Sequence, residues 1–426
     1  MKKLTSIFLL LLFVWTVQAQ TAREEIRANR YLSANNYYAY PTPTAKQTAA
    51  PKGYEPFYIS TYMRHGSRYL IDPNDYRFPK QTLLKADSLN KLTTTGKNTL
   101  DIVLRMADMA EGRLGELTSV GARQHRGIAK RMYTNFPQIF ADGTEVDARS
   151  TVVIRCILSM TSECLQLQAM NPNLCIKNDA SYHDMYYMNY DDTLLFKKRM
   201  PTSAMVPYTE FCKNHEHPER VMRLLFNDDD YWKNHLNADK LYEVLFKQAS
   251  NVQSTELRKS MSLYDLFTDD EIYDLWQINN AWWYINYGAC PLNGGKQPYS
   301  QRNLLRKIIS DADSCIALPH PGATLRYGHD TMVMPLTCLM DLDGMGMQVS
   351  DLEQLAYKGW NNYRIFPMAC NIQLVFYHKK GSKDILVKVL RNENEATLPI
   401  KTDIAPYYHW KDVRQYYLDK LNKFTE

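Results

Sequence analysis

The sequence predicts an α/β fold: a central, mostly parallel sheet with helices on its faces, interrupted by a helical insertion. Three observations predict it. The run "PFYISTYM" (56–63) alternates as a strand does, and helical and strand-like stretches then follow one another to about residue 165. From 166 to 309 helical and aromatic segments dominate. Strand character returns with "GATLRYGHDTMVMPL", "FPMACNIQLVFYHK" and "DILVKVLRNENEATL". The α/β core is therefore expected to be discontinuous, 20–165 and 310–426, with a helical cap at 166–309.

The elements are justified in chain order. Residues 1–19 have a basic start (Lys2, Lys3), an apolar run from Ile7 to Val17 and the small-residue exit Val17-Gln18-Ala19. This is the pattern of a secretory signal cleaved after Ala19, since the apolar run is too short to span a bilayer comfortably. Residues 20–55, rich in Tyr, Pro, Thr and Ala, are expected to form an extended lead-in. Leu100, Val103, Leu104 and Ala107 fall at i, i+3, i+4 and i+7, which predicts a helix. Thr118 is placed to cap the amphipathic stretch that follows it. "EVDARSTVVIRCILSMTSECLQL" begins as a strand and turns into a helix, and a last helix is expected at about 410–424.

Composition narrows the function classes. The chain has 426 residues, 45% hydrophobic, which is ample for one large or two smaller cores. Two of its 51 basic side chains lie in residues 1–19, so the rest carries 49 against 46 acidic, a charge of +3. That is far from a nucleic-acid binder, and any affinity for anions has to be local. No stretch after the leader is long and apolar enough for stable membrane insertion. All eight cysteines lie after the leader, with no CxxC or Cys/His metal spacing. Cys156 and Cys164 are expected on one helix, about 12 Å apart along its axis, which is too far for a bridge. Buried free thiols are the expectation for most of the eight.

The local anion affinity is found at "YMRHGSRYL" (62–70), where the first strand ends in Arg64, His65 and Arg68. A dianionic phosphate needs several directed donors, and the guanidinium fork matches its oxygens two at a time. Neutral imidazole is a competent nucleophile toward phosphorus, and Gly66 lets the backbone fold tightly beside an anion.

"RHGSR" resembles the Arg-His-Gly-x-Arg signature of the histidine acid phosphatases, the phytase-containing branch of the histidine phosphatase superfamily. "LTSVGARQH" (Leu117, Thr118, Gly121, Gln124) is similar to the family's Leu-Thr-x-x-Gly-x-x-Gln helix start. "RSTVVIRCILSM" resembles its strand-to-helix segment, and "LRYGHDTMVMPL" its His-Asp motif. The insertion, with "SLYDLFTDDEIYDLWQINNAWWYINYG", is similar to the α-domain of the multiple inositol polyphosphate phosphatases. The resemblance implies a phosphoglycerate-mutase-like, three-layer core with an inserted helical cap. It implies a phosphomonoesterase with His65 as nucleophile and Asp330 as general acid. Arg64, Arg68, Arg155 and His329 would hold the phosphoryl group, with Arg155 preferred over Arg149 as the third arginine.

No cofactor and no metal are expected, because three arginines supply the charge. A carboxyl beside phosphate charge is expected to have a raised pKa. The partner is a small-molecule phosphate ester: inositol polyphosphates, phytate included, with sugar or nucleotide monophosphates as the alternative. A non-catalytic anion-binding protein is the rival of another class, but it should have lost one chemical residue, and none is missing. A mutase of the same superfamily fits poorly with an exported, periplasmic or secreted chain. Two departures stand out: Leu70 replaces a common proline, and His329-Asp330-Thr331 replaces the His-Ala-Glu typical of the inositol polyphosphate phosphatases.

Other features read as structural. His215 and His217 sit in a turn without a third metal ligand in sequence, and Asp341 and Asp343 lack the spacing of a calcium loop. "NDDDYW" is expected to be a charged loop. Trp276, Trp282, Trp283, Tyr284 and Tyr287 have the helical spacing of core. Lys197, Lys198 and Arg199 are the one basic run of the insertion and are candidates for contacts to further phosphates.

Overall fold

The computed structural model describes residues 21–425, so the expected leader at 1–19 lies outside the described residues. Eight strands form one sheet: β1 (Tyr54–Arg64), β2 (Glu145–Ser150), β3 (Cys175–Asp179), β4 (Gly322–Gly328), β5 (Asn371–Lys379), β6 (Leu386–Arg391), β7 (Asn394–Glu395) and β8 (Tyr407–His409). Their order is β3-β2-β4-β1-β5-β6-β7, with β8 also on β6. The strands β3, β2, β4 and β1 are mutually parallel, and β5 to β8 add an antiparallel flank.

Strand periodicity builds three layers. Along β1, Tyr58 and Tyr62 point into one apolar cluster and Ile59 and Met63 into another. The first cluster takes in helices Arg302–Ile316, Asp330–Met340 and Trp410–Asn422. The second takes in helices Ser119–Asn135 and Ile154–Met170. β4, covered on both faces, is buried throughout, as a central parallel strand should be.

A third apolar cluster is mainly helical and contains no strand of the sheet. It joins Leu241, Leu245 and Trp276 to Leu83, Leu100 and Val103. The helical packing therefore draws on helices Asn74–Ser88 and Thr94–Ala110, which precede residue 166. Conversely β3, inside 166–309, pairs with β2 and belongs to the sheet. Its "CIKND" is exposed at four of five positions, so it lacks the apolar pattern of a buried strand.

The lead-in departs from the extended reading. Ala22–Ala28 is a helix closed by a capping box between Thr21 and Glu24, and Arg30–Tyr37 is a 3-10 helix. "NDDDYW" is likewise ordered, because Asp228 caps helix Asp229–His235. Cys156 and Cys164 share helix Ile154–Met170 as expected, and all eight cysteines are free. Among the described residues no helix is long and apolar enough to cross a membrane.

Candidate active site

The carboxyl ends of β1, β4 and β2 lie side by side, the usual place for a ligand crevice in an open α/β sheet. Each end delivers part of the cluster: β1 Arg64 and His65, β4 His329 and Asp330, β2 Thr151 and then Arg155. The backbone stitches these ends together. His65 N–H donates to the Gly328 carbonyl at 2.9 Å, and Thr151 N–H to the Tyr327 carbonyl at 2.9 Å.

The loop after β1 is clamped by two helices. Gly66 N–H donates to Ser159 Oγ at 3.1 Å, and Ser67 N–H to Gln124 Oε1 at 2.8 Å. Thr118, the helix cap, donates its hydroxyl to the Ser67 carbonyl at 3.0 Å. Gly66 faces Gly121 so closely that a Cβ on Gly66 would lie 2.5 Å from the Gly121 carbonyl oxygen. This explains why "RHGSR" and "LTSVGARQH" occur as a pair.

His65 is buried, with Nδ1 2.9 Å from the Gly66 carbonyl. A carbonyl only accepts, so Nδ1 carries the ring proton and Nε2 keeps its lone pair. Burial, then the Arg155, Arg64 and Arg68 charges, hold the ring well below the ordinary histidine range, so it is neutral into acid. His329 stands 5.7 Å away, ring to ring, with Nε2 3.2 Å from Thr151 Oγ1. Burial and the same arginines pull it down to about 4.

Arg64 is fully buried; Nη1 donates to the Phe366 carbonyl at 3.0 Å, and Nη2 lies 2.7 Å from Asp330 Oδ2. Arg68 donates to the Tyr69 carbonyl at 2.9 Å and stacks under the Tyr37 ring. Arg68 Nε and Arg155 Nε are buried without a hydrogen-bond partner. Three guanidinium groups with unspent N–H donors around one neutral imidazole form an anion pocket.

Asp330 is governed by the cations around it. Burial pushes its pKa up, but Arg64, Arg68, His329 and the Asn36 amide together hold it below the usual carboxylate range. The ion pair with Arg64 is the physical reason. Asn36 Nδ2 reaches Asp330 Oδ2 at 3.3 Å. Asn36 and Tyr37 belong to the lead-in, and sequence reasoning missed them. They stand on the 3-10 helix Arg30–Tyr37, which Asn29 caps.

The remaining candidates separate. Arg149 is spent on Asp147 and Asp184, away from the pocket. Lys197 and Lys198 are exposed. Arg199 is half-buried between the Phe196 and Tyr287 rings and lines a cavity of about 220 Å³ with Gln301 and Thr331, next to Asp330. A larger cavity, about 410 Å³, begins at Asn36 and Tyr37 and runs past Lys247 to Trp282, Glu216 and Glu243. Of the five clustered aromatics, Trp276, Trp283, Tyr284 and Tyr287 are core, whereas Trp282 is partly exposed on this cavity.

His215 is not a solvated turn residue. It bridges Asp274 and Glu353, each at 3.1 Å. Asp343 pairs with Arg391, and Asp341 accepts from Gly346 N–H. Among the described residues no three His, Cys, Asp or Glu side chains group as a metal site.

A three-layer α/β core that gathers arginines and a neutral histidine at its strand ends defines a phosphoryl-handling protein. The family model of the histidine phosphatase superfamily (branch 2) matches residues 59–392, and the chain belongs to this family. It is a phosphoric monoester hydrolase.

The chain is 22% identical over 398 residues to multiple inositol polyphosphate phosphatase 1 of Gallus gallus, covering 89% of this chain and 85% of that one. Its fold is similar to that of the Bifidobacterium longum multiple inositol polyphosphate phosphatase solved with inositol hexasulfate. There the TM-score is 0.69 and the identity 17%, covering 90% of this chain and 97% of that one. The phytase from D. castellii matches at TM-score 0.64 and 14% identity, covering 96% and 89%.

Proposed function

We propose that this chain is an exported phosphatase of inositol polyphosphates that works through a phosphohistidine on His65. One observation carries the reading: three arginines act on a neutral imidazole whose Nδ1 proton is tied to a carbonyl, leaving Nε2 free. Arg64, Arg68, Arg155 and His329 hold the transferring phosphoryl group. His65 Nε2 attacks phosphorus; the P–N bond forms, the ester P–O bond breaks, and Asp330 protonates the departing alkoxide. Water then attacks the phosphohistidine, Asp330 takes its proton, the P–N bond breaks, and inorganic phosphate leaves. The substrate dianion competes with Asp330 for Arg64, which releases the carboxyl to bind a proton. The helical layer around 166–309 acts as the cap over this pocket, and the first nineteen residues act as the leader that directs export.

Asn36 contributes to the working pH, as the smallest of the groups that hold Asp330 low. Its amide donates to the Asp330 carboxylate and so favours the charged form. Asn36→Ala removes that donor, raises the pKa of Asp330, and keeps the acid protonated to higher pH. The alkaline limb of the kcat–pH profile is expected to move upward. A limb that stays fixed or moves downward contradicts the assignment of Asp330 as the acid.

The substrate class is supported by the relatives and by Arg199. A second phosphate on the substrate meets this half-buried guanidinium beside Thr331. Charge-assisted hydrogen bonds contribute roughly 1.5–3 kcal/mol. Arg199→Ala is therefore expected to lower kcat/KM for inositol hexakisphosphate at least about tenfold more than for p-nitrophenyl phosphate. Equal losses on both substrates would remove the polyphosphate reading and leave a broad-specificity acid phosphatase.

A further inference from the structure

Beneath the β1 loop lies a pair of groups that phosphoryl transfer does not use. His125 and Glu163 are both fully buried, with Nδ1 and Oε2 2.8 Å apart. The other ring nitrogen of His125, Nε2, lies 3.1 Å from the Arg64 carbonyl oxygen. That oxygen only accepts, so Nε2 carries a proton. A second proton lies between Nδ1 and Oε2, on the ring or on the carboxyl. In either arrangement the pair is neutral overall and adds no charge beside the arginines.

The location of this hydrogen bond matters. The Arg64 carbonyl belongs to the peptide unit that joins Arg64 to His65. The N–H of the same unit donates to the Gly328 carbonyl at 2.9 Å. The plane from which the His65 side chain departs is thus held at both ends, by β4 and by His125. Tyr327 packs against the imidazole at 5.7 Å between ring centroids and walls off the pair. Burying a carboxyl costs several kcal/mol unless it is fully partnered, and an apolar side chain would fill this space without that cost.

We infer that His125, oriented by Glu163, is a positioning residue for the nucleophile: it fixes the Arg64–His65 peptide and thereby aims His65 Nε2 at phosphorus. The inference rests on His65 being the nucleophile. Misplacing a reacting group by about 1 Å costs on the order of 10²-fold in rate.

The test compares His125→Leu, which removes the donor, with His125→Gln, whose amide N–H reaches toward the same carbonyl. Initial rates with p-nitrophenyl phosphate are read well below each variant's Tm, per folded enzyme. His125→Leu is expected to lower kcat about 10²-fold while KM moves less than about threefold, and His125→Gln to recover at least about tenfold of that loss. An unchanged kcat in folded His125→Leu, or a His125→Gln no better than His125→Leu, overturns the inference. If His125→Leu does not fold, Glu163→Ala decides, with an expected fall of about tenfold from an imidazole no longer oriented; an unchanged kcat refutes the role. Failure to form phosphohistidine in the unaltered enzyme would instead refute the nucleophile assignment, so the two failures are distinguishable.

Discussion

His65→Ala is expected to abolish phosphate release from aryl and inositol phosphates alike, lowering kcat by a factor on the order of 10⁴ to 10⁶. That corresponds to about 5–8 kcal/mol of barrier, far more than the arginines can recover by binding alone. The variant keeps its fold, because His65 contributes one hydrogen bond through its ring, to Gly66, and its backbone bonds are unaffected. It also keeps phosphate affinity, since Arg64, Arg68 and Arg155 remain. Competitive inhibition by inorganic phosphate, measured as displacement of a bound inositol sulfate, should be within a few-fold of the unaltered enzyme. Loss of both catalysis and phosphate binding would assign His65 to binding; retained turnover would dismiss it as the nucleophile.

The second large effect depends on the leaving group. Asp330→Asn keeps the shape of the side chain but carries no transferable proton. A positioned general acid contributes about 10²–10⁴-fold. An alkyl ester such as an inositol phosphate leaves as a strongly basic alkoxide and needs the whole of that help. p-Nitrophenolate is a weak base and needs little. The variant should therefore lose two to four orders of magnitude on inositol hexakisphosphate and about tenfold or less on p-nitrophenyl phosphate. Equal losses on both would mean that Asp330 acts on Arg64, its partner at 2.7 Å, rather than on the leaving oxygen.

What the sequence revealed depended on how local each cause is. The alternation of "PFYISTYM" and the Arg-His-Gly-x-Arg end of β1 are short-range patterns, and both were legible. Arg155, preferred over Arg149 in the sequence, stands in the helix that clamps the loop, whereas Arg149 points to Asp147 and Asp184. The pairing of Gly66 with Gly121 explains the motifs, but the contact itself needed coordinates.

Asn36 was not legible because its partner Asp330 is 294 residues away and nothing in "SANNYY" announces a carboxylate contact. β3 was missed because an exposed edge strand has no apolar pattern to read. The amphipathic stripe of Leu100, Val103 and Ala107 predicted a helix, and its residues pack against the helices at 221–276 rather than against the sheet. Periodicity says that a face is buried and says nothing of what covers it.

His125 shows the same limit at the site. It stands in a quoted motif, one residue after Gln124, yet its role depends on Glu163 in another helix.

The most direct test of the central claim is to trap the covalent enzyme. Mixing the enzyme with ³²P-labelled substrate and quenching in alkali within milliseconds should leave label on the protein. The bond should be stable in base, labile in acid, and located on the peptide that contains His65. With labelled p-nitrophenyl phosphate, whose leaving group needs little help from the acid, the account predicts up to one labelled histidine per chain, label that persists longer in Asp330→Asn because the base for water is gone, and none in His65→Ala. Active enzyme that never carries label at residue 65, or label found on another residue, would contradict it.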